Sequence, residues 1–208
     1  MSGVQIWRVM LDRPPPQDWL SDEERARAGG FMRPEDGRRF AACRTALRGI
    51  LAGRIGVHPA LVSIVQPPGH RPETTPPIAF SVSHSGDRAL IALAPAGIVG
   101  VDLEQRSPRP LGWLGAQMTP AERARGVGDP LLRWVCKEAA LKATGHGLAL
   151  DAAGVAVPDR VPDRGGRILL TQPKPRFWHL STLAPWPGHV AALVTDRAHR
   201  AIWHDWAQ

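Results

Sequence analysis

Tyrosine is absent from the 208 residues, and cysteine occurs only twice, as Cys43 and Cys136. Two thiols so far apart, with no C-x-x-C spacing, exclude a disulfide framework, and the expectation is two free structural thiols. No window holds the roughly 20 apolar residues that a membrane span needs. The opening residues, MSGVQIWRVMLDRPPP, lack the apolar core of a secretion signal, because Arg8, Asp12 and Arg13 interrupt it. The expectation is a cytoplasmic protein that does not bind a membrane. Lys and Arg outnumber Asp and Glu by 26 to 19, for a net charge of +7, yet no block of five or six like charges occurs. That excludes a basic nucleic-acid tail and leaves an acidic partner of another kind. The eight tryptophans are scattered, so a groove with arginine and aromatics interleaved for single-stranded nucleic acid is not expected. Trp186, Trp203 and Trp206 are expected in the core or against the C-terminal strands.

What is present is a folded composition, 43% hydrophobic and 22% charged, with 21 prolines and 21 glycines dispersed along the chain. The length suits one large domain or two small ones and suffices for a real core. Val4 to Leu11 reads as a strand. Ser21 opens a helix with Glu24 at the capping-box position, and Gly29-Gly30 ends it. Pro34 starts a longer helix whose apolar face is Phe40, Cys43, Leu47 and Ile50/Leu51, with Arg38, Arg39, Arg44, Arg48 and Arg54 around it. Leu61 to Val65 is a short strand, and Pro67 to Pro77 a loop. Ile78 to Ser83 and Ala89 to Ala94 read as a strand pair around Ser85-Gly86-Asp87. Ile98 to Glu104 follows as a strand, and Ser107 to Pro110 as a linker. Thr119 caps a short helix with Glu122 at its box position. Asp129-Pro130 opens a helix that runs to about Thr144 and stops at Gly145. Arg167 to Thr171, Phe177 to Leu183 and Val190 to Thr195 complete the strands. The fold class is α+β, with two similar lobes, 1–104 and 105–208.

Three stretches carry chemistry. "FSVSHSG", Phe80 to Gly86, places Ser83, His84 and Ser85 where a strand turns; hydroxyls and a ring N–H there could grip a phosphate, or form an ordinary polar hairpin. "VGVDLEQ", Val99 to Gln105, ends with Asp102 and Glu104 two apart and so on one strand face. Two acids that close ask for a cation, and carboxylates suit Mg²⁺; a solvated strand end is the plainer alternative. "WVCKEAALKATGHGL", Trp134 to Leu148, puts Trp134, Glu138 and Lys142 on one helix face and turns Lys137 away. Each motif alone is modest, and an exposed Glu–Lys helix pair is common. Their order and combination are specific.

In that combination the chain resembles the Sfp-type 4'-phosphopantetheinyl transferases, whose phosphate turn, GxDxE strand and WxxKEAxxKxxGxGL helix match Phe80–Gly86, Gly100–Glu104 and Trp134–Leu148. FMRPEDGRRF with Leu47-Arg48, and Arg71-Pro72, match upstream segments, so the likeness spans roughly 20 to 150. The resemblance implies two pseudo-symmetric α/β lobes with the active site between them, usually in a monomer. It implies transfer of phosphopantetheine from coenzyme A to a serine of an apo acyl or peptidyl carrier protein, with Mg²⁺ required and adenosine 3',5'-bisphosphate released. Asp102, Glu104 and Glu138 fall on the metal-binding acids, and Glu138 also on the candidate base for the carrier serine. Lys142, Ser83, His84, Arg27 and Arg71 fall on positions that contact coenzyme A. Ser81, His70 and Met118 depart from the family pattern, where Asn, Gly and an aromatic are usual. Another Mg²⁺-dependent phosphoryl-transfer enzyme or phosphohydrolase on the same acids is the alternative. A nucleic-acid module, or a member that binds coenzyme A without turnover, fits the residues less well.

Overall fold

The computed structural model describes residues 3–13, 19–66, 71–106, 112–126, 128–145, 152–161, 165–171 and 174–207. The first half contains β1 (Val4–Met10), α1 (Asp22–Gly29), α2 (Pro34–Ile55), β2 (Ser63–Val65), β3 (Glu73–Thr75), β4 (Phe80–Ser85) and β5 (Arg88–Leu93). The second contains β6 (Val99–Gln105), α3 (Pro120–Arg125), α4 (Pro130–Thr144), β7 (Val155–Ala156), β8 (Gly166–Leu170), β9 (Arg176–Leu183), β10 (His189–Thr195) and β11 (Ala201–Asp205). One sheet has the order β11-β1-β5-β4 and the other β6-β10-β9-β8-β7, while β2 and β3 form a separate pair. The protein is thus a mixed α+β fold.

The two sheets face each other between two helices. Val4 and Ile6 of β1 and Leu90 and Ala92 of β5 pack on Val99, Val101 and Leu103 of β6 and Ala191 and Leu193 of β10. The alternate residues of β1 and β5, Val9, Ala89 and Ile91, pack instead with Cys43, Leu47 and Leu51 of α2. Ala192 and Val194 of β10 turn the other way, onto Val135, Ala139 and Ala143 of α4. Strand alternation therefore buries both faces of the central strands, and this is why they read as nearly continuous apolar runs.

Both capping boxes form, and each does more than cap. Glu24 accepts from the Ser21 N–H at 2.9 Å, and its carboxylate also pairs with Arg48 at 2.7 Å and Arg44 at 3.4 Å. The Arg48 guanidinium also donates to the Val62 carbonyl at 2.9 Å. Arg44 and Arg48, placed by the sequence outside the apolar face of α2, are buried. A paired acid from another helix makes that position affordable, and the α2 sequence alone does not reveal it. In the second half Glu122 accepts from Thr119 and pairs with Arg133 at 3.3 Å and Lys137 at 2.8 Å, both fully enclosed.

The structure departs from the sequence reading at several strands. The SHS triplet belongs to β4, and the turn itself is only Gly86-Asp87, with Gly86 at φ +58. β3 lies inside the expected Pro67–Pro77 loop, and β7 and β11 were not anticipated. β11 runs parallel to β1, with Val4 opposite Ala201 and Arg8 opposite Asp205. β6 is hydrogen-bonded along its length to β10, so residues 99–104 lie in the sheet of the second half and 201–205 in that of the first. The Ser107–Pro110 linker, His70 and the Gly147-Leu148 end of the third motif lie outside the described residues. Among the described residues no helix is long and apolar enough to cross a membrane.

Candidate active site

Position 100 decides how closely β6 and α4 approach. A Cβ on Gly100 would lie 2.0 Å from the Ala139 carbonyl oxygen and 2.5 Å from the Ala143 nitrogen. Only glycine lets the strand lie against the helix backbone. The next residues on the same face, Asp102 and Glu104, are thereby brought under α4, where Glu138 and Lys142 stand one turn apart. Gly100→Ala should push the two elements apart, lowering stability by about 1–3 kcal/mol, the usual cost of overpacking, and lowering activity as well. A melting curve and a turnover assay on the same sample check this; an unchanged melting temperature would contradict it.

Along its open edge β6 meets β4 through hydroxyls. Ser81, Ser83 and Ser85 alternate along β4, and their Oγ atoms accept from the N–H groups of Val101, Leu103 and Gln105 at 3.0, 3.2 and 3.0 Å. Two of these hydroxyls then donate onward: Ser83 to Asp102 Oδ1 at 2.7 Å and Ser85 to Glu104 Oε2 at 2.7 Å. Each serine satisfies an edge donor, and the last two also orient an acid. Ser81, which departs from the family pattern, holds the edge in this way. Ser85 read as a possible phosphate contact and Ser81 as a departure from the family pattern; neither was expected to join β4 to β6. Their signal was available, since serines at i, i+2 and i+4 share one face of a strand.

The acids, the lysine and the histidine line one cleft of about 250 Å³, together with Val82, Ser83 and Trp134. Lys142 Nζ donates to Asp102 Oδ1 at 2.6 Å and to Ser83 Oγ at 2.8 Å. Asp102 is 4% exposed, and its Oδ2 is buried without a hydrogen-bond partner. Burial and the neighbouring Asp102 charge push the Glu138 carboxyl above its ordinary value; burial also raises that of Glu104, with Asp102 adding to it. Desolvation at the cleft wall and the Lys142 ammonium hold the His84 imidazole below its usual value, favouring the neutral ring. Trp134 meets Trp113, half exposed, edge-on with ring centroids 5.0 Å apart.

A carboxylate-rich cleft with an orphaned buried oxygen fits a hard divalent cation by donor chemistry. Among the described residues, however, no three His, Cys, Asp or Glu side chains converge tightly enough to hold a metal. Asp102 is turned to Lys142 and Glu104 to Ser85. Of the other expected residues, Arg71 lies over the end of α4, its Nε 3.3 Å from where a Cβ on Gly145 would sit. Arg27 is on α1, where it donates to Gln66 Oε1 at 3.1 Å and lies over the Phe40 ring at 4.9 Å. Met118 is buried. Lys137 points away from the cleft, as expected, and into the interior.

Residues 98–194, which span the second sheet from β6 to within one residue of the end of β10 and include α3 and α4, match the model of the 4'-phosphopantetheinyl transferase superfamily. The chain is 34% identical to the 4'-phosphopantetheinyl transferase HetI of Nostoc sp., over 92% of its own length and 86% of that protein's. The chain belongs to this superfamily. A Synechocystis sp. protein whose name provisionally gives the same activity is 33% identical, over 77% of this chain and 75% of its own. A phosphopantetheinyl transferase of Thraustochytrium sp. is 30% identical, over 71% and 62%. In this transferase family member, the three motifs read from the sequence occupy one cleft.

Proposed function

We propose that the protein transfers the 4'-phosphopantetheine arm of coenzyme A to a serine of an apo acyl or peptidyl carrier protein. The observation that carries this is the convergence of Asp102, Glu104, Glu138, Lys142, Ser83 and His84 on one cleft between β4, β6 and α4. In the reaction the carrier serine oxygen bonds to the phosphorus that bears the arm, the bond to the leaving phosphate breaks, and adenosine 3',5'-bisphosphate departs. Transfer of this kind asks mainly for positioning and charge neutralisation. Glu138, its carboxyl raised by burial above the ordinary value, takes the serine proton, directly or through a water. Lys142 and His84 face the phosphates, with Arg71 at the end of the same helix and Arg27 holding the more distant 3'-phosphate. Asp102, Glu104 and Glu138 would hold Mg²⁺, which when bound neutralises charge on the pyrophosphate. The surplus of +7 favours encounter with an acidic carrier.

The likeness of the two halves belongs to the same reading. Each has a strand, a capped short helix, a long helix with two buried bases, and a sheet in which the first strand pairs with the last. We read them as lobes related by a pseudo-twofold axis, dividing between β5 and β6, in a monomeric cytoplasmic protein. The decisive assay is intact mass of a carrier protein after incubation with the enzyme, coenzyme A and Mg²⁺. A gain of one phosphopantetheine, abolished by a chelator, is expected. Transfer that persists in the chelator would remove the metal, and hydrolysis of coenzyme A without any carrier adduct would favour a phosphohydrolase.

A further inference from the structure

α2 stops filling its side of the first sheet before it ends. Cys43, Leu47 and Leu51 pack on β1 and β5, but Gly49 and Gly53, one turn apart on one helix face, bring no side chain. On the sheet, Ile202 of β11, Gln5 of β1 and Leu93 of β5 form one row across three strands, with Gln5 opposite both neighbours. Between that row and the helix lies a cavity of about 630 Å³. It is larger than the cleft of about 250 Å³ at β4, β6 and α4 and shares no lining residue with it. Small-molecule sites run to roughly 300–1,000 Å³.

The two glycines differ in what stands beside them. A Cβ on Gly49 would lie 2.3 Å from the Trp206 ring, so the indole takes that space. A Cβ on Gly53 would meet nothing within 4 Å. No packing contact asks for glycine at position 53, and glycine is a poor helix residue. The space it leaves belongs to the cavity. Two indoles wall that space, and both are held from outside it. The Trp206 N–H donates to the Arg8 carbonyl at 3.0 Å, and Trp7 stacks on His204 with ring centroids 4.7 Å apart. The Gln5 amide and the Arg54 guanidinium also line the cavity, and neither has a hydrogen-bond or ion-pair partner among the described residues. No acidic side chain lines it.

We propose that this cavity is a second ligand site, which binds a small flat aromatic carboxylate. Indole walls suit a ring, because aromatic pairs gain from offset or edge-on contact beyond the area they bury. The unpaired guanidinium suits a carboxylate, which it can hold through two parallel N–H donors, and the Gln5 amide supplies a further donor. The site does not depend on the transferase reading, since nothing in it touches the cleft.

The test is isothermal titration calorimetry of the full chain with 2-naphthoate, against 2-naphthol as the uncharged match and decanoate as the acid without a ring. Wild type should bind 2-naphthoate about fivefold or more tightly than either of the others. Arg54→Gln should remove that advantage over 2-naphthol and leave 2-naphthol binding unchanged. Gly53→Leu projects a side chain into the cavity and should abolish binding of all three. Its melting temperature should stay level or rise, because leucine favours a helix where glycine does not, so loss of the fold is not mistaken for loss of the site. Saturating coenzyme A should leave 2-naphthoate binding unchanged. No heat from millimolar 2-naphthoate overturns the proposal, as does binding unchanged in Gly53→Leu. Displacement by coenzyme A overturns it too, by moving the probe to the other cleft. Decanoate binding as tightly as 2-naphthoate overturns the aromatic class, and 2-naphthol doing so overturns the carboxylate.

Discussion

Lys137→Ala is expected to cost about 3–5 kcal/mol of stability, the range for removing one member of a buried charge network. At about 2–4 °C per kcal/mol for a chain of this size, the melting temperature should fall by roughly 6–20 °C. The side chain is 0% exposed, and its ammonium meets Glu122 Oε2 at 2.8 Å and the carbonyls of Ala152 and Val155 at 3.0 and 2.9 Å. Truncation removes the donor to both carbonyls, opens a cavity under α4 and leaves Glu122 to Arg133 and Thr119. Burial alone would raise the Glu122 carboxyl, but Lys137 and the Thr119 N–H outweigh it and hold it below the ordinary value. Its contribution is therefore present above the unfolded-state pKa of about 4.3 and is lost as pH falls through the depressed folded value. Lys137→Met separates the two losses, since it refills the volume and omits the donor, and it should fall between wild type and alanine. Thermal unfolding followed by circular dichroism reads all three. A shift of less than 2 °C for the alanine variant would show that the network contributes little net stability.

Glu138→Gln should behave in the opposite way. Transfer should drop by about 10²–10⁴-fold, the usual contribution of a positioned base, while coenzyme A still binds and the melting temperature at pH 7 stays level or rises. The sign follows from the cleft. Burial, then Asp102 and Glu104, push the Glu138 carboxyl up, and Lys142 only partly opposes them. A raised carboxyl contributes stability below its unfolded pKa and loses that contribution as pH climbs through the folded value. At neutral pH the ionised form is a burden on the fold, and the amide relieves it. Single-turnover mass spectrometry and a melting curve on one preparation give both readings. A melting temperature several degrees lower, alongside the lost rate, would make Glu138 a structural residue and detach the rate loss from base chemistry.

The two predictions separate the adjacent residues of one KEA motif, and they show what a sequence can and cannot disclose. Helical periodicity put Glu138 and Lys142 on the cleft face and turned Lys137 away, because 3.6 residues per turn fixes relative direction. It does not say what lies in each direction. Arg44 and Arg48 read only as lying off the apolar face for that reason, since their partner Glu24 lies on a different helix. Glu24 and Glu122 were legible as capping residues from local spacing alone, and both caps formed. Their second role, as buried counterions, depends on tertiary contacts. The DxE pair and the SHSG stretch were found as motifs, but their connection was not. The hydroxyl-to-carboxylate bonds join β4 to β6; spacing shows that the serines share a strand face but not which strand of the other sheet they meet. β11 was missed because AIWHD alternates weakly and follows the loop after β10 with no helix between.

β11 also bears on the order in which the molecule can be made. A chain synthesised from its N terminus releases β1 first, yet one neighbour of β1 in the sheet is the last strand, some 197 residues later. Every strand of the second sheet is synthesised before that neighbour exists. The sheet that holds β1 is thus completed after the other: β5 covers one side of β1 early, and the other side stays a raw strand edge until β11 is made. Closing so long a loop is slow, and an open edge in the meantime invites pairing with another chain.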